Sequence, residues 1–113
     1  MKYFKIEEFK CKCGCGKAEM NQKFTQMLDM ARGESGVPFH ITSGYRCPKH
    51  NKNVGSTSTN HTLGVAADIA CNNGGTRLKI IDALLAVGFK RIGVHKNFIH
   101  ADINEMPASV WLY

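Results

Sequence analysis

At 113 residues and 12.5 kDa the chain is long enough for one domain with a modest core, and its 43% hydrophobic and 21% charged residues exclude a disordered or fibrous polymer. The net charge of +6 favours an anionic partner such as nucleic acid, an acidic cell wall or an anionic membrane, but the basic residues are scattered from Lys2 to Lys96 with no aromatic-rich basic stripe, which argues against nucleic acid. No apolar run approaches the roughly 18 residues of a membrane span, and Met1-Lys-Tyr-Phe-Lys-Ile-Glu-Glu8 has no apolar signal-peptide core, so synthesis in the cytoplasm is expected.

In chain order, residues 1–19 form a short, basic, Cys- and Gly-rich arm, expected to be irregular and anchored by Tyr3, Phe4, Ile6 and Phe9. Residues 20–32 carry Met20, Phe24, Met27 or Leu28, and Ala31 at helical spacing, with Asn21 as N-cap and Gly33 and Gly36 as terminators. This Met-rich stripe reads as a packed core face. Val37-Pro-Phe-His-Ile-Thr-Ser43 suits a strand followed by a turn, and residues 47–60 read as a long polar loop. Val65-Ala-Ala-Asp-Ile-Ala-Cys71 is a compact apolar run, predicted as a buried strand. A helix over about 77–87 is expected next, capped by Thr76, ended by Gly88, with Leu78, Ile81, Leu84 and Leu85 inward. Arg91–His95 and Asn97–Ile103 read as two strands joined by a tight turn at Lys96-Asn97. The tail Val110-Trp-Leu-Tyr113 is expected to cover the core. The order predicts a small α+β domain spanning residues 1–113, with two helices on a mainly antiparallel sheet.

Five cysteines, Cys11, Cys13, Cys15, Cys47 and Cys71, leave an odd count for a disulfide framework. Three readings stay open. The arm's three thiolates with Cys47 or Cys71 could hold a structural zinc. The thiols could be free in a reducing cytosol. A disulfide could join Cys47 to Cys71 or the arm to Cys47. No cysteine stands in a nucleophile motif.

The strongest chemical signal lies in His61-Thr-Leu-Gly-Val-Ala-Ala-Asp68 and Phe98-Ile-His-Ala-Asp102. Asp68 interrupts an apolar strand, and a buried carboxylate is costly unless it is paired or coordinates a metal. His61, Asp68 and His100 supply two imidazoles and one carboxylate, the donor set of a catalytic zinc site that keeps an open position for metal-activated water. His100 and Asp102 are two apart on a strand and so share a face. Asp102 is a fourth ligand or, preferably, an acceptor that orients an imidazole.

Together, Ser43-Gly-Tyr-Arg46, Asn60-His-Thr-Leu-Gly-Val-Ala-Ala-Asp68 and Gly93-Val-His-Lys-Asn-Phe-Ile-His-Ala-Asp102 resemble the zinc D-Ala-D-Ala carboxypeptidase and L-alanyl-D-glutamate endopeptidase family of peptidoglycan peptidases, phage endolysins among them. The family's fold is shared with the zinc domain of hedgehog proteins. The resemblance implies zinc held by His61, Asp68 and His100, and Arg46 beside the substrate carbonyl or carboxylate, where it would stabilise an oxyanion. Many relatives carry Asp or Glu three residues before the last zinc histidine as general base, and here Asn97 holds that place. His95 is then the nearest titratable replacement, as base or oxyanion partner, and Asp102 the other candidate base. The implied substrate is the peptide stem of bacterial peptidoglycan, cut by a monomeric hydrolase that reaches the wall through phage lysis or as part of a virion. Two rivals remain: an inactive zinc-binding wall-recognition module, which Asn97 favours, and a zinc-stabilised nucleic-acid binder, which would show a steep salt slope on DNA.

Overall fold

Asn21 opens the first long helix, α1 (Gln22–Ser35), by accepting a hydrogen bond from the Phe24 amide on its side chain, and Gly36 ends it in the left-handed conformation. The computed structural model describes residues 1–113. Phe24, Leu28 and Ala31 of α1 are buried, with Met20 and Met27 packed partly against them, so the stripe is a core face. Strand β1 (Ile41–Ser43) follows, then a short helix α2 (Pro48–Asn53), strand β2 (Ala66–Ala70), helix α3 (Gly74–Ala86) and strands β3 (Arg91–Val94), β4 (Phe98–Asp102) and β5 (Ser109–Leu112). A single 3-10 turn at Ile6–Phe9 orders the arm. Of the arm's expected anchors, Phe4 and Phe9 are buried, whereas Tyr3 and Ile6 are exposed.

The five strands lie in the order β1-β2-β4-β3-β5. All neighbours are antiparallel except the β3–β5 pair, which is parallel. Period-two alternation sorts the sheet into two faces. Ile41, Ala67, Ile69, Ile92, Ile99 and Ala101 belong to the core that α1 and α3 cover, where Phe24 meets Phe89 edge to face at 5.9 Å. On the opposite face the register sets Asp68, His100, Gly93 and Trp111 side by side, and Asp102 beside Arg91. The α+β class and mainly antiparallel sheet are as expected.

Five local expectations need correction. The loop at 47–60 contains α2, capped by Cys47 with Pro48 in the first turn, so there are three helices rather than two. Strand β1 is shorter than 37–43. Helix α3 begins at Gly74 because Asn73, not Thr76, is the cap and accepts from the Thr76 amide. Its inward face is Ile80, Ala83 and Leu84, leaving Leu78 and Leu85 exposed. The tail does not cover the core. It is the edge strand β5, with Val110 and Leu112 exposed and Trp111 and Tyr113 on the far side from the helices. No helix is long and apolar enough to cross a membrane.

Candidate metal centre

Three buried side chains from separate elements meet on the face of the sheet away from the helices. Asp68 enters from the middle of β2 and His100 from the middle of β4, directly opposite it in the register. His61 comes from the turn before β2, and its exposure is only 5%. The carboxylate Oδ1 of Asp68 lies 3.0 Å from His100 Nδ1 and 3.5 Å from His61 Nε2. One ligand atom from each residue falls within 4.8 Å of the others.

The outer nitrogen of each imidazole is held by an acceptor. His61 Nδ1 donates to the Gly44 carbonyl at 2.7 Å, which leaves the Nε2 lone pair facing Asp68. His100 Nε2 donates to Asp102 Oδ2 at 2.7 Å, which turns Nδ1 toward Asp68. Metal-binding histidines have this arrangement, in which a carbonyl or carboxylate fixes the ring and raises its basicity. The donor set of two imidazoles and one carboxylate therefore fits zinc.

Asp102 has 0% exposure and four donors around it. Besides His100, it accepts from Arg91 Nε at 2.7 Å, the Asn104 amide at 3.0 Å and Asn60 Nδ2 at 3.2 Å. Arg91 in turn lies over the Trp111 ring at 5.0 Å. The chain of contacts from Trp111 through Arg91 and Asp102 to His100 ties the edge strand to the centre.

Burial works against the charged forms here, and pairing prevails. For Asp68, burial raises the pKa, but hydrogen bonds and charge from His100 and His61 bring it below its ordinary 3.8 to about 2. Burial likewise opposes ionisation of Asp102, and His100 and Arg91 hold its pKa down. For His100, burial lowers the pKa, yet Asp102 and Asp68 on its two sides raise it above 6.5. In the metal-free protein the ring bridges two carboxylates, which favour its protonated form.

The centre forms the floor of an open cleft of about 360 Å³. Arg46 stands at its edge, with Nη2 3.8 Å from Asp68 Oδ2 and Nη1 donating to Asn51 Oδ1 at 3.3 Å. Phe98, Trp111 and Tyr113 form an aromatic wall, and Ser56, Ser58 and Asn60 line the polar side. His95 does not line the cleft and stands beside its aromatic wall, against Phe98 and Tyr113. Its ring stacks on Phe98 at 4.5 Å, and its Nδ1 accepts the Asn97 amide at 3.0 Å, so the neutral ring carries its proton on Nε2. Asn97 lies outside the cleft, in the turn between β3 and β4, and its carbonyl accepts from the Cys71 amide.

Trp111, Tyr113, Arg91 and Asn60 escaped the sequence reading as site residues. The run Val110-Trp-Leu-Tyr113 is itself a strand signal of β-branched and aromatic residues. Asn60 adjoins His61, and Arg91 opens the strand beside His100, but neither advertises its partner.

All five cysteines are free thiols, so neither proposed disulfide is formed. Cys11, Cys13, Cys15 and Cys47 come together, with one sulfur from each within 4.8 Å of the rest. Cys71 is buried apart from them, and its thiol is directed at the Asn73 carbonyl.

No curated protein matches the chain. Residues 2–102 match the family model described as Peptidase M15, which takes in the arm, the centre and four of the five strands. That match covers most of the chain's length, and the chain therefore belongs to the peptidase M15 family, the zinc D-Ala-D-Ala carboxypeptidase-like peptidases.

Proposed function

We propose that the protein is a zinc-dependent peptidase that cuts the peptide stems of bacterial peptidoglycan, at an amide involving a D-amino acid. The observation that carries this reading is the convergence of His61 Nε2, Asp68 Oδ1 and His100 Nδ1 on the floor of an open cleft, each imidazole fixed from behind. His61, Asp68 and His100 would hold the zinc. Zinc held there supplies Lewis acidity toward water and toward the scissile carbonyl.

The chain's own groups do the rest. Asp102 is a positioning residue: it fixes His100 and balances Arg91. Arg46 offers a guanidinium at the cleft edge to the oxygen on which negative charge develops. His95, beside the aromatic wall, offers an Nε2–H donor suited to a substrate carbonyl or carboxylate that extends past Phe98 and Tyr113. The aromatic wall of Phe98, Trp111 and Tyr113 gives an apolar surface to a stem side chain. The net charge of +6 favours residence on the anionic wall and makes that binding salt-sensitive. A phage or prophage lysis role, or a virion component acting on the wall, suits this size and charge.

A second reading, a wall-recognition module without turnover, is favoured by one observation: Asp68 is the only carboxylate lining the cleft. Digestion of purified peptidoglycan by zinc-supplemented protein, with mass spectrometry of released fragments and Asp68→Ala as control, separates the two. New peptide termini that vanish in the control are expected. Stoichiometric zinc with no released fragment overturns the peptidase reading in favour of the binding module.

A further inference from the structure

Four thiols gather on the side of the molecule where the arm meets α2, and the centre described above does not use them. Cys11 Sγ lies 3.4 Å from Cys13 Sγ, and Cys13 Sγ lies 3.6 Å from Cys47 Sγ. The edge of a tetrahedron with zinc–sulfur bonds of about 2.3 Å is about 3.8 Å. The thiols are therefore spaced almost as the corners of a tetrathiolate metal site. We infer that Cys11, Cys13, Cys15 and Cys47 hold a second, structural zinc ion, distinct from the one at His61, Asp68 and His100.

The local sequence explains how three cysteines in five residues reach one point. In an extended chain, Cys11, Cys13 and Cys15 would share a face but stand roughly 7 Å apart in succession. Here the segment is a pair of turns, with Gly14 at φ +89° and Gly16 at φ +80°, backbone that other residues rarely adopt. The turns curl the thiols inward toward Cys47, which lies more than thirty residues away in sequence. Backbone amides already point at the sulfurs. The Cys47 amide donates to Cys11 Sγ at 3.4 Å, and the His50 amide to Cys47 Sγ at 3.4 Å. Such donors stabilise thiolate ligands as carboxylates stabilise ligating histidines. Lys10, Lys12, Lys17 and Lys49 flank the four cysteines in sequence, and cationic surroundings offset the double negative charge of a zinc tetrathiolate.

The site would have a mechanical consequence. Cys47 follows Arg46 directly, and the arm is pinned beside them by the Tyr45 amide on the Phe9 carbonyl at 2.8 Å. A metal bound to Cys11 and Cys47 staples the arm to the segment that carries Arg46, so its binding energy becomes folding energy for the rim of the cleft. Cys71 takes no part.

Metal counting tests this independently of any peptidase activity. The full chain, purified under reducing conditions and equilibrated with zinc, is expected to hold two zinc ions by elemental analysis. The His61→Ala/His100→Ala variant is expected to keep one, Cys13→Ser/Cys15→Ser to lose one, and Cys71→Ser to keep both. Cobalt loaded into the His61→Ala/His100→Ala variant should show the near-ultraviolet thiolate-to-metal charge-transfer band. Should the cysteine variant fail to fold, alkylation of the wild-type protein gives the same answer. The four thiols should be protected with zinc and modified after chelation. One zinc in the wild-type chain and none in the histidine variant would overturn the site, as would a mass deficit from disulfides among these four cysteines. Failure of the peptidase reading alone would leave the count at the thiols unchanged.

Discussion

The indole of Trp111 lies directly on Gly93: a Cβ placed on Gly93 would stand 2.7 Å from both Cε2 and Nε1 of the ring, and equally close to Tyr113 Cε2. Gly93 and Trp111 are register partners in the parallel β3–β5 pair, and His100 is Gly93's partner on the other side. The missing side chain is what lets the edge strand lay its aromatic residues against the candidate metal centre, with Trp111 5.4 Å from the His100 ring.

Gly93→Ala must therefore displace Trp111, Tyr113 or both. An overpacked site of this kind costs typically about 1–3 kcal/mol, and here the loss should fall on β5, an edge strand paired on one side only. Trp111 is the only tryptophan, so its fluorescence reports the displacement without ambiguity. A red-shifted, less quenched emission and a reduced kcat/KM with zinc still bound are expected. Unchanged emission would mean that β5 does not lean on Gly93 in solution.

Asp102 sets the orientation of His100, and Asp102→Asn probes this with little change of shape. The variant loses the charge that faces His100 Nε2 and Arg91 Nε. Losses of outer-shell partners of ligating histidines weaken metal binding by about 10–100-fold, and competition with a chelator of known affinity would show it. The half-buried Arg91 guanidinium would also lose its partner, so the melting temperature of the metal-free protein should fall. Wild-type zinc affinity in Asp102→Asn would remove Asp102 from the positioning role.

The centre was more legible in the sequence than the frame around it, for physical reasons. Asp68 announced itself because a carboxylate in an apolar strand needs a partner, and His100 and Asp102 because alternation puts both on one face. Helix α2 was hidden because Pro48-Lys-His-Asn-Lys-Asn53 has no apolar period, and only Cys47-Pro48 marks its start. The inward face of α3 was misread because apolar residues surround that helix. Tertiary packing, rather than period, then selects Ile80, Ala83 and Leu84 over Leu78 and Leu85. Strand β5 pairs with β3, and that parallel pairing leaves no hairpin signature in the chain. The placing of Trp111 and Tyr113 in the cleft wall was hidden for that reason.

The charges at the centre predict how the metal-free protein responds to pH. Asp68 and Asp102 have depressed pKa values, so their stabilising contribution is present above the ordinary 3.8 and is lost as pH falls through the folded values, about 2 for Asp68. His100 has a raised value, so its contribution is complete below 6.5 and is lost as pH rises through the folded value. The chelator-treated protein should melt highest between about pH 4 and pH 6.5. Zinc competes with the proton on His100 Nδ1, so the rise in melting temperature on adding zinc should grow from acid toward neutral pH. A zinc-induced rise equally large at acid and neutral pH would show that His100 releases no proton when the metal binds.

Arg46 is the remaining lever on specificity, because its guanidinium can serve two ends. If it stabilises charge that develops on the scissile carbonyl, Arg46→Lys should lower kcat by about 10²–10³-fold with little change in KM. Lysine keeps the charge but not the planar fork that reaches both Asn51 and the cleft. If Arg46 instead grips a terminal carboxylate present equally in substrate and transition state, KM rises while kcat holds, and the preferred substrate is a stem that ends in a free D-amino acid. Zinc content should be unaffected in either case, since Arg46 lies 3.8 Å from Asp68 without being a ligand. The split between kcat and KM in this one variant therefore separates an endopeptidase geometry from a carboxypeptidase geometry.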